Sequence, residues 1–176
     1  MTDRNEGQAD LFGPSLAEAK SKLMDAAQVG THCPCCGKFV KVYHRKFNSG
    51  MAVMMCYLYG PFRRNRRQWL DVGHYLISKH HMWPSDYGKL VWWGMLEKNE
   101  DAVPINGAKS AGLFRMTEAG RAFAEGRLKV PSHAHEYMSD VQSFDGDPID
   151  IRQALGRKFD YRELMREIGI LIDEPV

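Results

Sequence analysis

The order of elements readable along this sequence predicts an α+β fold, and three observations carry the prediction. A capping box opens a helix near the N-terminus, a cysteine knuckle leads into strand-like alternation, and the middle of the chain reads as helix, strand, helix, helix, β-hairpin, helix. At 176 residues the chain is long enough to bury a core without needing a staple.

Ser15 followed by Glu18 is the capping box, and Leu16, Ala19, Leu23, Ala26 and Ala27 recur on one helical face. With Gly30 as a stop, residues 1–30 read as a frayed start and one helix from about 15 to 28. Residues 31–48 hold the knuckle THCPCCG and then a strand, because Lys38, Phe39, Val40, Lys41, Val42 and Tyr43 alternate in character. Asn48 and Ser49 can cap the stretch Met51–Tyr59, which is apolar nearly all round and therefore predicts a buried helix. Gly60 and Pro61 predict its end, leaving FRRNRR as an exposed loop.

QWLDV, residues 68–72, predicts a short strand, and Gly73 opens a helix reaching Lys79. Pro84 and Ser85 punctuate, with Ser85 placed to cap a helix through DYGKLVWW to Gly94. Met95 and Leu96 begin the first strand of a hairpin whose long polar tip is EKNEDAVPINGAKSAG and whose second strand is LFRMT. Thr117 and Glu118 begin one more helix, and Pro131 closes a unit spanning 49–130. In residues 131–176, HAHEYMSDVQSFDGDP has no sustained period and reads as linker. Asp150 and Asp160 then cap two short helices of an acidic tail.

Charge is segregated beneath a formal net of +2: residues 1–30 carry −2, residues 31–70 carry +8 without one acid, residues 71–130 carry +1 and residues 131–176 carry −5. The acid-free stretch suits phosphate backbone or an acidic partner, or it offsets the acidic tail within the molecule.

Cys33 and Cys36 stand at the spacing that grips zinc. Gly37 and a departing strand follow them, where a thioredoxin-type redox site would start a helix. The candidate further ligands are Cys56, if the buried helix faces the knuckle, and His44, if the strand bends back. The alternative is a tight turn with partly buried thiols. His80 and His81 end a helix, and His133 and His135 fall in the linker; both pairs read as surface residues.

The central order of elements is that of the winged helix-turn-helix. The stretch KLVWWGMLEK, with Leu90, Gly94, Met95 and Leu96, resembles the end of the recognition helix and its exit strand in the MarR and PadR groups of winged-helix proteins. FRMTEAGRAF, with Met116, Thr117, Glu118, Ala119 and Gly120, resembles their second wing strand running into the closing helix. The likeness covers residues 49 to about 127. Together with the CPCCG knuckle and the IRQALGRKFDY tail, the chain also resembles a group of small phage and prophage proteins.

The resemblance implies a DNA-binding, regulatory role for a phage-type accessory protein. With Leu90 and Trp93 turned inward, the recognition helix presents Ser85, Gly88, Lys89 and Trp92, a poor set of base readers. Contacts to double-stranded DNA are therefore expected mainly at the backbone. Arg63, Arg64, Arg66, Arg67 and Lys79 would supply them, with Lys109 and Arg115 from the wing. A second expectation uses the same scaffold to bind or inhibit a host protein, with Trp92 as anchor. A third packs Trp92 beneath the N-terminal helix or the tail, closing the core of one chain or of a homodimer.

No P-loop, nucleophile elbow, HExxH or spaced carboxylate pair is present, so binding rather than catalysis is expected. The polar, acidic start MTDRNEGQAD does not read as a signal peptide, and MAVMMCYLY is too short to span a bilayer. A cytoplasmic protein with no membrane partner is expected.

Overall fold

The structure is a computed structural model that describes residues 15–83, 85–102 and 112–171. Pro84, Lys109 and most of the hairpin tip lie outside the described residues. Helix α1 (Leu16–Ala27) begins as expected: Ser15 Oγ accepts from the Glu18 amide, and the Glu18 carboxylate accepts the Ser15 N–H at 2.8 Å. Strands β1 (Thr31–His32) and β2 (Phe39–Val40) pair antiparallel across the knuckle. The strand expected over residues 38–43 is divided. After Val40 the chain leaves β1, the Val42 N–H donates to the Ala27 carbonyl at 2.8 Å, and β3 (Tyr43–Lys46) enters a different sheet. Alternation survives the change of partner because Val40 and Val42 both bury beside Ala27, in a small core separate from the main one.

Helix α2 (Ser49–Arg64) is capped by Asn48, whose side chain accepts from the Met51 amide at 3.0 Å. Met51, Met54, Met55, Cys56, Leu58 and Phe62 are all buried, so the helix is enclosed on every side as its composition predicts. It does not end at Gly60 and Pro61. A proline within a helix costs about 3 kcal/mol, but full burial of Phe62 contributes about 1.5–3 kcal/mol and the buried Arg121 guanidinium donates to the Phe62 carbonyl at 3.4 Å. The expected loop is thus half helix: Arg63 and Arg64 form the last helical turn, and Arg66 and Arg67 the turn beyond it.

Strand β4 (Leu70–Asp71) runs directly into α3 (Val72–His80), which is capped by Asp71 accepting from the His74 amide at 2.9 Å, so the helix starts ahead of Gly73. The helix expected from Ser85 to Gly94 shrinks to a 3-10 turn over Tyr87–Val91. Gly88, the β-branched Val91 and two tryptophans are weak helix formers. Asp86, at the cap position, gives its carboxylate to Lys89 and Asn48 rather than to the backbone. Strands β5 (Leu96–Lys98) and β6 (Leu113–Met116) form the expected hairpin, and β6 also pairs with β4, giving the sheet order β4–β6–β5.

Helix α4 (Glu118–Ala124) is welded to that hairpin at Thr117. Thr117 Oγ1 donates to the Gly94 carbonyl at 2.5 Å and accepts the Gly120 N–H at 2.9 Å. Gly120 lies so close that a Cβ there would stand 2.1 Å from the Met95 carbonyl oxygen. The Thr-acid-x-Gly pattern is therefore a packing requirement.

The stretch expected as linker is a long hairpin, β7 (Val130–Tyr137) and β8 (Asp140–Ile149), which joins β3 in a sheet of order β3–β7–β8. Its inward face alternates Val130, Ser132, Ala134, Glu136, too polar for the alternation to stand out. Helices α5 (Ile151–Leu155) and α6 (Tyr161–Glu167) form with the predicted caps, Asp150 and Asp160. Ile151, Leu155, Tyr161, Leu164 and Met165 join the same core as α2, and Tyr161 Oη donates to the Ala124 carbonyl at 2.7 Å. The described chain is thus mixed α and β, with three small antiparallel sheets. No helix among the described residues is long and apolar enough to cross a membrane.

Candidate functional sites at a basic helix end and a histidine-bearing sheet

Arg63, Arg64, Arg66 and Arg67 are all exposed at the C-terminal end of α2, where cations also suit the helix dipole, and they form no ion pair with a described residue. Lys79 is exposed on α3. Arg64 and Lys79 line one open cleft with Tyr75 and His80, bounded on the far side by Glu167. Of the other expected cations, the two among the described residues, Lys89 and Arg115, are spent locally. Lys89 Nζ sits 2.6 Å from Asp86 Oδ1, and this pairing holds the Asp86 carboxyl below its ordinary range. Arg115 is ion-paired with Glu97 and lies over the Trp69 ring.

Ser85 and Gly88 are exposed, as the recognition-helix reading has them, but on a bend and a single turn rather than along a helix. Trp92 is not the exposed anchor: it packs partly buried against the main core, with Lys89 Nζ 5.9 Å from its ring centroid. Trp93 is buried, its indole N–H donating to the Pro131 carbonyl at 2.8 Å.

The proposed zinc ligands lie in three places. Cys33 and Cys36 remain together in the knuckle, where the Gly37 N–H donates to the Cys33 carbonyl at 2.8 Å. Amides of Cys35 and Cys36 aimed at the Cys33 sulfur lower that thiol's pKa. Cys56 is wholly buried in the main core while Cys33 borders the small one, and burial pushes the Cys56 thiol up to about 12. His44 faces the histidines of β7. The strand does not bend back to the knuckle, because its backbone is committed to pairing with β7.

What the linker reading concealed is a cluster of histidines. His44 on β3 stands opposite His135, and His133 stands opposite Asp145 on β8. His44 Nε2 is 2.8 Å from Asp145 Oδ1, and His135 Nε2 is 3.1 Å from Asp145 Oδ2. The His44 ring stacks on His133 with centroids 4.3 Å apart. Hydrogen bonds from His44 and His135 hold the Asp145 carboxyl below its usual value, whereas burial, then the neighbouring His44, lowers His133. An open cleft of about 780 Å³, lined in part by Lys46, Asn48, Arg157 and Lys158, adjoins the cluster at His133. The signal in the sequence was His133-x-His135, a spacing that puts both rings on one face of a strand.

Neither a family model, nor a curated protein, nor a solved structure matches this chain.

Proposed function

We propose that the chain binds double-stranded DNA through a shortened winged helix, holding the phosphate backbone with the basic end of α2. The observation that carries this reading is the group of four exposed arginines in a forty-residue stretch without an acid, beside Lys79. The connectivity supports it: α2, β4, α3, the 3-10 turn, β5, β6 and α4 follow in winged-helix order, with the first short strand paired to the hairpin. A single turn carrying Lys89 already paired to Asp86 offers little to base edges. Affinity with little sequence preference follows, because phosphate contacts position a protein without reading bases. A regulatory or accessory role for a phage-type protein is consistent with such binding.

The test is a duplex titration over a range of salt. Replacing Arg63, Arg64, Arg66 and Arg67 together with Ala should lower affinity alike on unrelated sequences and reduce the log–log salt slope by about 3.6. Equal affinity and slope in the variant would remove the arginines as the phosphate contact.

A second reading, docking on a host protein, is favoured by Trp83, which is 82% exposed three residues beyond α3. An indole so exposed suits a partner's pocket. If Trp83→Ala lowers duplex affinity as far as the arginine variant does, the indole belongs to the DNA surface instead.

A further inference from the structure

We propose that His44, His133 and Asp145 form a binding site for a divalent transition metal of the zinc class on the outer face of the β3–β7–β8 sheet, with His135 positioning the carboxylate. Among the described residues, these three are the group of His, Cys, Asp and Glu whose ligand atoms all lie within 4.8 Å of one another. They come from three adjacent strands, so the sheet itself sets their spacing.

Two features of the backbone build this arrangement. The pairing of β7 with β8 shifts by one residue between Pro131 and His133, placing a bulge at Gly146 and Asp147. A bulge reverses the alternation beyond it, and here it brings Asp145 onto the face that carries His133. Gly146 itself has φ +76°, and a Cβ there would stand 2.3 Å from Ser132 Oγ and 2.8 Å from His133 Nδ1. Glycine thus supplies both the left-handed backbone and the room for the Ser132–His133 contact.

The surrounding hydrogen bonds are those that orient ligands toward an ion. Ser132 Oγ lies 3.0 Å from His133 Nδ1, which fixes that ring and leaves its other nitrogen to a metal. His135 holds Asp145 Oδ2, leaving Oδ1 to the ion. In a tetrahedral site with ligands about 2.0–2.1 Å from zinc, neighbouring ligand atoms lie about 3.3 Å apart. The His44 Nε2 to Asp145 Oδ1 distance of 2.8 Å needs to open only slightly, and both side chains are about half exposed. Two imidazoles with one carboxylate favour zinc, cobalt or nickel over magnesium or calcium, which take oxygen.

Cobalt(II) provides the test, because its visible bands report coordination and a thiolate ligand adds a near-ultraviolet charge-transfer band. Tag-free full-length protein carrying Cys33→Ser, Cys35→Ser and Cys36→Ser, which removes the knuckle thiols, should bind about one cobalt per chain without the thiolate band, and zinc should displace it. In that background, Asp145→Asn and His133→Ala should each weaken binding on the order of a hundredfold, and His135→Ala about tenfold. His44 and Asp145 are exposed enough that His44→Ala and Asp145→Asn should keep the native circular dichroism, so loss of metal in those variants is not loss of fold. No binding below millimolar cobalt, or equal binding in Asp145→Asn and His44→Ala, overturns the proposal.

Discussion

Among the described residues, two three-stranded antiparallel sheets are built alike and held differently. In β4–β6–β5 the strands span two to four residues and the sheet survives because Leu96, Phe114 and Met116 bury into the α2 core. In β3–β7–β8 the hairpin strands run eight and ten residues, its inward face includes Ser132 and Glu136, and its outward face carries the imidazoles. The first is an apolar clamp with a polar hairpin tip. The second is held by extended backbone pairing, which frees its outer face for chemistry. A short strand needs packing to persist, whereas a long ladder tolerates polar side chains on both faces.

The largest expected effect breaks the first sheet. Gly120→Ala drives a methyl into the Met95 carbonyl, which is backbone and cannot turn aside, so α4 must part from β5. A loss of about 3 kcal/mol or more is expected in urea unfolding, with the β3–β7–β8 amides less affected than those of β5 and β6 in hydrogen exchange. Equal loss of protection in both sheets would mean that they unfold as one unit.

A smaller effect is expected in the second sheet. Gly146→Ala meets side-chain atoms of Ser132 and His133, which can move, and adds the strain of φ +76°. About 1–2 kcal/mol is expected, with the loss of protection centred on β7 and β8.

The smallest effect sharpens the contrast through pH. Burial, reinforced by His44 and to a lesser extent by Lys46 and His135 and opposed by Asp145, holds the His133 imidazole below its ordinary 6.5. The folded chain therefore binds that proton more weakly than the unfolded chain. The resulting stability is present above about pH 6.5 and is lost as the pH falls below it. His133→Gln should flatten this decline, measured by urea unfolding at several pH values in the presence of a chelator. A slope unchanged by the substitution would assign the decline to other groups.

Much of the helical frame was legible in the chain. The Ser15–Glu18 box, the cap at Asn48, the all-round apolar α2, the Thr117 cap and the Asp150 and Asp160 caps are local patterns whose physics acts within four residues. The arginine cluster was equally plain, because charge is read directly from composition. The second sheet was hidden for identifiable reasons. Its turn, Met138 and Ser139, takes positive φ at both residues without the Asn-Gly pair that usually announces such a turn. Pro131 and Pro148 sit opposite one another near the base of the hairpin, where their missing N–H groups suggested a break in structure.

By itself, then, the amino-acid order determined where helices start, which helix is enclosed, and where positive charge gathers, since each depends on neighbours along the chain. Tertiary structure decided the rest. It carried α2 through Pro61, because Phe62 and Arg121 meet only in the fold. It shortened the segment after Ser85, because Asp86 found Lys89 and Asn48 in place of its own backbone. It also gathered His44 with residues about a hundred positions away, since strand register and one bulge set that distance.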